Sequence, residues 1–447
     1  MAFTERTLDK RTVARDAETL RDVPGLSMGG FVRRFSKIAA GAAVIGLLAT
    51  VAACGDDSGS GASAASTTNA PAASAATTAT VAKATGTPIR LGLITRALYM
   101  PLGPPGAQAA IDRINAAGGV NGHPLELVPC SNDDKAATAA TCAQKYVADP
   151  TIVATVGDTS AFGGDSNPPM ELAKIAGVGT QPSGGGDFAS PRVFPNVPGG
   201  NSLLGAVAFA YDKLNAKKIG MAVIDSPTAQ ALPGLVNANV LKSRGSALAA
   251  TAVVPTSAAD VSSQAASLIK SDAVVLAVTA DLGIRLIKSM RQQGFTGPVV
   301  VSETTIDPTT VKNSLSPTEA DKLYAVSFFD KTSAGYKRFL DDMEKYQPKA
   351  TVTDLAGVAW LGANTFADVA SKLPSVTRQS VWDAMNQLTN YDTGGMTAPL
   401  DYTKPGTALG GKAPRLFDPI LQVYADVYKD GEYPPVEAKQ VPIRVFS

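Results

Sequence analysis

Cys54 is the first residue whose surroundings indicate chemistry. It ends the run Val51-Ala52-Ala53-Cys54, behind an apolar stretch at 38–49 and the basic pair Arg33-Arg34. A positive flank, a short apolar core and small residues before a cysteine are typical of a bacterial lipoprotein signal. The core of about a dozen residues is too short for a permanent membrane span. We expect cleavage before Cys54 and a lipid on the new N-terminal cysteine, which would tether the exported chain to the outer face of the membrane. An ordinary buried thiol after a plain secretory signal is the alternative.

The leader in front of Cys54 is longer than such a signal requires. Residues 1–27 carry many charges that have no place in a signal. A start at Met28 would leave a leader of about 26 residues, which is a normal length. We expect residues 1–53 to be a removable leader, with Met28 as its hypothetical true start.

Three other side chains limit the chemistry that the chain can perform. In an exported protein the pair Cys130 and Cys142 predicts a disulfide, with two free thiols as the alternative. The single histidine, His123, lies in the stretch 120–124, whose Asn-Gly pair predicts a tight, solvated turn. Neither a His/Cys zinc cluster nor a Ser-His-Asp site is then favoured. The sequence predicts no metal, no cofactor and no catalytic residue.

The composition is that of a globular protein with an unusual linker. The chain is 45% hydrophobic and 18% charged, with a net charge of +1. It lacks the basic excess that binding to nucleic acid requires, and no later segment has 18 consecutive apolar residues. Residues 54–87 are almost wholly Ala, Ser, Thr and Gly after the cysteine. Such a segment cannot bury a core, so we expect a disordered spacer between a lipid anchor and a folded domain.

From Pro88 onward, short β-branched runs alternate with amphipathic segments. The first series predicts strands at 89–94, 125–128 and 152–156, and helices at 107–117, 136–147 and 168–176. The last of these helices would have Pro168 or Pro169 in its first turn and Ser166 or Asn167 as its cap. The second series predicts strands at 219–224, 248–254, 273–278 and 299–301, and helices at 203–214, 232–243, 261–270 and 282–293. Helices at 334–346, 354–372 and 378–388 and a strand at 420–428 follow.

Two such βα series predict an α/β fold of two doubly wound lobes, each with a parallel sheet. In open parallel sheets, ligands bind beyond the carboxyl ends of the strands. Two lobes that face each other there would form a cleft. Helix N-termini at those ends favour an anion such as a carboxylate.

The stretch Ile114-Asn115-Ala116-Ala117-Gly118-Gly119-Val120-Asn121-Gly122 resembles the leucine/isoleucine/valine-type substrate-binding proteins of ABC transporters. The similarity continues through 130–134, 152–157 and 290–295, and it covers the chain from Pro88 to the end. It implies the type I periplasmic-binding fold, with three crossovers between the lobes near 195–201, 327–330 and 397–401. Lobe 1 would then comprise 88–198 and 330–398, and lobe 2 would comprise 199–329 and 399–447.

The resemblance also implies a ligand pocket. In lobe 1, the loop that binds a ligand carboxylate matches Thr159, Ser160 and Ala161, and hydroxyl and backbone N–H donors suit that task. The next loop matches Gln181, Ser183, Gly184 and Gly185, whose glycines would let the main chain approach a ligand. Plain surface loops are the alternative.

In lobe 2, Glu303 matches the family's acidic residue for a ligand ammonium group, and Asp281 is a weaker candidate. Tyr99 is a candidate aromatic wall of the pocket. The sequence departs from the family at 225–230, where a Tyr-Gly pair is usual, and at 279–280, where another tyrosine is expected. These departures put specificity for branched-chain amino acids in doubt.

We therefore expect a monomeric, lipid-anchored protein on the outer face of the cell membrane. It would capture an amino acid or a related small carboxylate or amide and deliver it to an ABC permease, without binding nucleic acid. A receptor of the same fold that signals to a membrane partner is the alternative. An enzyme is disfavoured because the first strand is followed by Thr95-Arg96-Ala97-Leu98, with no Gly-x-Gly-x-x-Gly or P-loop pattern.

Overall fold

A computed structural model of the chain describes residues 84–404, 406, 421–437 and 443–444. By its internal contacts the chain divides between Ala76 and Thr77, and every described residue belongs to the second unit. The predicted leader, the lipid-bearing Cys54 and most of the predicted linker lie outside the described residues.

The first sheet has seven parallel strands. They are β1 (Ile89–Thr95), β2 (Leu125–Ser131), β3 (Ile152–Val156), β4 (Thr159–Ser160), β5 (Ala176–Val178), β6 (Gln181–Pro182) and β7 (Val193–Phe194). The strand order is β6-β4-β1-β3-β5-β7, and β2 also pairs with β1. The four helices of this series are α1 (Pro104–Ala116), α2 (Ala136–Ala148), α3 (Gly163–Leu172) and α4 (Gly185–Ala189). β3 is buried along its whole length, as expected of a strand covered on both faces.

The second sheet also has seven strands. They are β8 (Ile219–Ile224), β9 (Ala250–Val254), β10 (Ala273–Ala277), β11 (Val299–Ser302), β12 (Leu323–Ser327), β13 (Gln422–Val427) and β14 (Ile443–Arg444), in the order β14-β13-β12-β11-β10-β8-β9. β13 runs antiparallel to both neighbours, and the other pairs are parallel. The helices are α5 (Ser202–Asp212), α6 (Pro227–Gln230), α7 (Leu232–Val236), α8 (Ser262–Leu268), α9 (Ala280–Gln292) and α10 (Pro308–Ser314). The predicted helix at 232–243 continues past α7 as a π turn, Asn237–Leu241, and a 3-10 turn, Lys242–Arg244.

Three later helices pack on the first-sheet side, although five strands of the second sheet precede them in the chain. They are α11 (Ala334–Tyr346), α12 (Asp354–Ala370) and α13 (Arg378–Asn386). α12 and α13 lie against strands of the first sheet, and α11 lies against α1. α12 is apolar on nearly all sides and lies against α1, β3 and β5. The contact with α1 needs a glycine, because a Cβ on Gly106 would lie 1.9 Å from the carbonyl oxygen of Ala356. The chain therefore leaves the first sheet after β7 and returns to it after β12.

The segments that connect the two sheets meet in one place. Asn196 and Pro198 follow β7, Phe328 follows β12, and Thr397 and Ala398 follow α13; all five line one small depression with residues of β13. Tyr402 still contacts the first-sheet side, since its hydroxyl donates to the carbonyl of Pro195 at 2.9 Å. Residues 405 and 407–420, which follow Tyr402 and precede Leu421, lie outside the described residues.

The structure confirms the α/β class with two doubly wound sheets, but several local predictions were wrong. Pro168 and Pro169 lie inside α3, which begins at Gly163, and Ser166 and Asn167 are interior residues rather than caps. The first residue of α3 is closely packed, because a Cβ on Gly163 would lie 1.9 Å from the Asp187 carboxylate. β5, β7 and β12 were not predicted at all.

The predicted Cys130–Cys142 disulfide is present and ties the end of β2 to α2, with 5.9 Å between the two Cα atoms.

The described part of the chain lacks membrane-spanning helices and metal-binding clusters. None of its helices is long and apolar enough to cross a membrane. No group of three or more His, Cys, Asp or Glu side chains within that part is arranged to hold a metal ion. His123 lies in a tight turn closed by a bridge to Val120, and its ring Nδ1 lies 2.8 Å from the carbonyl oxygen of Thr87.

Candidate functional site

Polar residues lie side by side on three neighbouring strands of the first sheet. Thr95 at the end of β1 pairs with Thr159 of β4, and Thr159 pairs with Gln181 of β6. Because these strands are parallel, their carboxyl ends lie along one edge of the sheet. The structure thus brings together the candidates Thr159, Ser160 and Gln181.

Ser160 is placed so that its hydroxyl can donate a hydrogen bond. Its Oγ accepts from the side-chain amide of Asn132 at 2.9 Å and from the backbone N–H of Phe162 at 3.1 Å. Among the residues that the structure describes, no acceptor is found for the hydroxyl proton. A hydroxyl that already accepts two hydrogen bonds has its proton left to donate, so Ser160 suits a carboxylate or carbonyl oxygen.

The two residues next to Ser160 have other roles. Thr159 donates its hydroxyl to the carbonyl of Gly157 at 3.3 Å, so its proton is used within the loop. Ala161 is exposed and contributes no polar side-chain atom. Only its backbone can therefore meet a ligand.

A buried ion pair holds this loop in place. The guanidinium of Arg192 donates to Asp158 at 3.1 Å and to the Ile175 carbonyl at 2.9 Å. The second carboxylate oxygen of Asp158 accepts from the backbone N–H of Ile94 at 2.8 Å. Arg192 is 1% exposed, which is rare for arginine and requires such a partner. The ion pair fixes the backbone directly before Thr159.

The loop after β6 already holds a carboxylate of the protein. Ser183 and Gly184 donate their backbone N–H groups to Asp187 at 3.1 and 3.3 Å. The other oxygen of Asp187 accepts from Asn167 at 2.9 Å. Burial raises the pKa of Asp187 to about 6 against the opposite effect of these hydrogen bonds. The amides expected to meet a ligand therefore bind an internal group, while Gly185 is exposed.

Gln181 has a side-chain oxygen that lacks a partner. The residue is 7% exposed, and its Oε1 has no donor within hydrogen-bond distance in the described parts of the chain. A buried acceptor without a donor is costly, and such groups are few in folded proteins. This oxygen can accept from an N–H or O–H group of a bound molecule.

On the second sheet, Glu303 belongs to a buried cluster of charges. We call Glu303, Lys331 and Asp426 the Lys331 cluster. The Lys331 ammonium lies 2.7 Å from Glu303 Oε2 and 3.0 Å from Asp426 Oδ2, and it donates to the carbonyl of Tyr433 at 3.0 Å. Glu303 is 7% exposed and Asp426 is fully buried. Glu303 was predicted to bind the ammonium group of a ligand. In the structure it binds the ammonium group of Lys331 instead.

Burial and mutual repulsion shift the pKa values in this cluster. Burial raises the pKa of Glu303 to about 7 although Lys331 lowers it, and burial raises the pKa of Asp426 to about 6. Burial alone would lower the pKa of Lys331, but the two carboxylates outweigh it and raise that pKa. Lys331 therefore stays protonated, and the two carboxylates share its charge.

Tyr99 and Asp281 are not brought into either group. Tyr99 ends a 3-10 turn after β1, and the Arg96 guanidinium lies over its ring, 5.1 Å from the centroid. Asp281 lies in the first turn of α9 with its side chain 60% exposed and pairs with Arg285 at 2.7 Å. Its pKa is lowered, mainly by the hydrogen bond from the Thr279 hydroxyl. Asp281 is thus an exposed carboxylate at the start of a surface helix.

Five polar residues of these networks were not predicted from the sequence: Asn132, Asp187, Arg192, Lys331 and Asp426. Asn132 had a signal, because it lies within the stretch 130–134 that carried the resemblance. Asp187 had a local signal as well, since it lies three residues after the cap Gly184 of α4. Arg192, Lys331 and Asp426 gave none, since each gains its role from partners far away in the chain. Lys331 and Asp426, for example, contact each other only because β13 pairs with β12.

Two doubly wound sheets joined by crossing segments, with polar residues at the carboxyl ends of their strands, define the class of two-lobed binding proteins with the type I fold. A family model described as periplasmic binding protein matches residues 88–411, and the chain belongs to this family. The resemblance to the leucine/isoleucine/valine-type proteins is thereby confirmed at the level of family and fold. No curated protein sequence matches the chain.

Solved structures of substrate-binding proteins share the fold at low identity. One is the branched-chain amino acid transporter substrate-binding protein of Streptococcus pneumoniae in complex with isoleucine, with 20% identity over 80% of this chain and 100% of that chain and a TM-score of 0.63. A leucine-binding protein of Thermotoga maritima has 17% identity over 80% of this chain and 99% of that chain, with a TM-score of 0.63. A fatty acid ABC transporter substrate-binding protein of Thermomonospora curvata has 17% identity over 82% of this chain and 94% of that chain, with a TM-score of 0.64.

Proposed function

We propose that this protein is an extracytoplasmic solute-binding lipoprotein that captures an amino acid or a related small carboxylate or amide for ABC-type import. Membership of the periplasmic binding protein family supports the binding role. The observation that carries the proposal is the Ser160 hydroxyl, which accepts two hydrogen bonds and keeps its proton for a bound oxygen.

The cleft would lie between two lobes with the bounds expected from the sequence. Lobe 1 would comprise 88–198 and 330–398, and lobe 2 would comprise 199–329 and 399–447. The packing of α11, α12 and α13 on the first-sheet side supports this division. Closure of two such lobes around a ligand is a common hinge motion of binding proteins.

Within the cleft, the two edges would contribute different groups. Ser160 would donate to a carboxylate or carbonyl oxygen of the solute, and Gln181 Oε1 would accept from an N–H or O–H group. Tyr99 would supply an aromatic wall. Glu303 and the loop at 183–185 would lie at the rim of the pocket, since their polar groups already have partners in the protein.

The solute would be delivered at the outer face of the cell membrane. The signal-like run before Cys54 and the Ala/Ser/Thr/Gly segment behind it support a lipid anchor with a spacer. The protein would act as a monomer and present its closed form to a permease. Neither a cofactor nor a metal ion takes part in this scheme.

A ligand screen tests the proposal. The full-length chain is refolded from denaturant to remove any bound solute, and its Tm is measured with amino acids, amides, small carboxylates, polyamines and sugars. A ligand at about 100 times its Kd stabilises a protein by about 2.7 kcal/mol, which is a rise in Tm of about 3 °C for a folded region of this size. We expect one class of carboxylates or amides to give this rise. No rise with any compound would contradict solute capture.

A further inference from the structure

The carboxylates near the carboxyl ends of the strands share one property. Each of them, within the part of the chain that the structure describes, has a partner supplied by the protein. These pairs are Asp133 with Ser131, Asp134 with Arg96, Asp158 with Arg192, Asp187 with Asn167, Asp225 with Gln230, Asp281 with Arg285, Glu303 with Lys331 and Asp330 with Thr332. A ligand ammonium group that approached one of these carboxylates would therefore have to share it with a donor of the protein.

In the Lys331 cluster, Glu303 is bound closely by an ammonium group of the protein. The Lys331 ammonium contacts Glu303, Asp426 and the Tyr433 carbonyl within 3.0 Å. The side chains are buried, with 11% exposure for Lys331, 8% for Glu303 and 0% for Asp426. Removing the ammonium would leave two carboxylates buried without their cation, which is strongly unfavourable. Lys331 is therefore a fixed part of the site and not a side chain that a solute can replace.

We propose that the solute carries a carboxylate or carboxamide group but no ammonium group, because Lys331 occupies the position on Glu303 that a ligand ammonium would take. This inference deepens the proposed function and rests on it. Two cations close together in a buried site repel each other, so Lys331 both fills the acceptor and disfavours a second positive charge. The raised pKa of Lys331 agrees with a permanent charge at this position.

The groups left on the first sheet match such a solute. Ser160 offers a hydroxyl proton to an oxygen of the solute. Gln181 offers an acceptor, which suits a carboxamide N–H or a hydroxyl group better than a bare hydrocarbon. Neither group requires a positive charge on the solute. A small uncharged amide therefore satisfies both groups, and a small carboxylate does so when the rest of the molecule carries a hydroxyl or amide N–H.

Matched pairs of compounds test the inference. The refolded full-length chain is titrated with leucine and 4-methylpentanoate, with phenylalanine and 3-phenylpropanoate, and with the amides of the two acids. Each pair shares a carbon skeleton and differs only in the ammonium group. We expect the compounds without ammonium to raise Tm by about 3 °C at about 100 times their Kd, and the amino acids to leave Tm unchanged.

The possible outcomes separate the inference from the proposed function. A rise with amino acids alone would overturn the inference and leave solute capture intact. No rise with any compound of the wider screen would count against both.

A variant tests the part assigned to Lys331. In Lys331→Met the two carboxylates lack their cation, so we expect the amino acids to raise Tm in this variant. Lys337→Met is the control, because Lys337 pairs with Asp341 on the exposed face of α11. If Lys331→Met folds, binds the acids and still rejects the amino acids, then Lys331 does not cause the selectivity. If Lys331→Met does not fold, the titration of the wild-type chain with the matched pairs of compounds tests the inference by itself.

Discussion

Arg192 and Asp158 form an ion pair of 3.1 Å inside the first lobe, where both side chains are almost fully buried. The pair connects the start of β7 to the loop after β3. Breaking a buried pair by removing one partner leaves an uncompensated charge. Asp158 also accepts a hydrogen bond from the N–H of Ile94 in the central strand β1. Loss of the ion pair should therefore destabilise β1 as well.

We predict that Arg192→Met lowers the free energy of unfolding by about 3–5 kcal/mol. Urea unfolding followed by circular dichroism measures the change. Arg285→Met is the control, since it removes an exposed pair with Asp281 and should cost less than about 1 kcal/mol. Equal losses in the two variants would show that the buried pair has no special role.

Ser160 and Thr159 form a matched pair of neighbouring hydroxyls for a binding test. Only the Ser160 proton remains available, since Thr159 donates to the Gly157 carbonyl. We predict that Ser160→Ala weakens binding of the solute about 10- to 100-fold, because a hydrogen bond to a charged oxygen is lost. Thr159→Val should change Kd much less. Calorimetric titration of both variants gives the ratio, and similar losses in both would contradict the role of Ser160.

Asp187 should make stability fall with rising pH. Its pKa is about 6 in the folded protein, against an ordinary value of 3.8. The folded state therefore keeps a proton that the unfolded chain loses above about pH 4, so this contribution is present at low pH and is lost as pH rises through 6. We predict that the wild-type chain loses about 3 kcal/mol relative to Asp187→Asn between pH 4 and pH 7.

Unfolding curves of the two proteins across that pH range measure the effect of Asp187. Asp281→Asn is a control of opposite sign, because the lowered pKa of Asp281 makes its contribution present at neutral pH and lost in acid. A difference between wild type and Asp187→Asn that does not vary with pH would refute the assignment.

The disulfide should contribute to stability through the unfolded state. Cys130 and Cys142 are 12 residues apart, and closing a loop of this size is worth about 3 kcal/mol in the chain-entropy model. We predict a loss of this order in the double variant Cys130→Ala/Cys142→Ala. The loss is measured by thermal unfolding of the double variant, and of the wild type with and without reductant. An unchanged Tm on reduction would show that the bond does not constrain the chain.

Gly106 tests the contact between α1 and α12. A Cβ at this position would lie 1.9 Å from the Ala356 carbonyl oxygen, so Gly106→Ala must push the two helices apart. We predict a loss of about 1–3 kcal/mol. Gly164→Ala is the control, since no atom outside its own helix lies within 4 Å of a Cβ there. The control should be neutral or stabilising by up to about 1 kcal/mol.

Long periodic elements could be predicted from the sequence, whereas short ones could not. α9 and α12 show the apolar spacing of packed helices over 13 and 17 residues, and both were predicted nearly in full. β5 and β7 have only three and two residues, which is too short for any pattern. The prolines of α3 were placed in its first turn because proline favours that position, whereas α3 begins five residues before Pro168.

The candidate site divides in a similar way. Thr159, Ser160 and Gln181 were found because they match loops that bind ligand in the family that the sequence resembles. The partners of Glu303 could not be predicted, since Lys331 lies in no predicted element and Asp426 lay inside a predicted strand. Their contact depends on the antiparallel pairing of β13 with β12, which no local pattern indicates.

The first residue of α12 has a mechanical consequence. Asp354 accepts from the Ser327 hydroxyl at 3.0 Å and from the Phe328 N–H at 2.9 Å, so the end of β12 is fastened to a helix of the first sheet. Any change of angle between the two sheets that moved the end of β12 away from α12 would have to break these two hydrogen bonds.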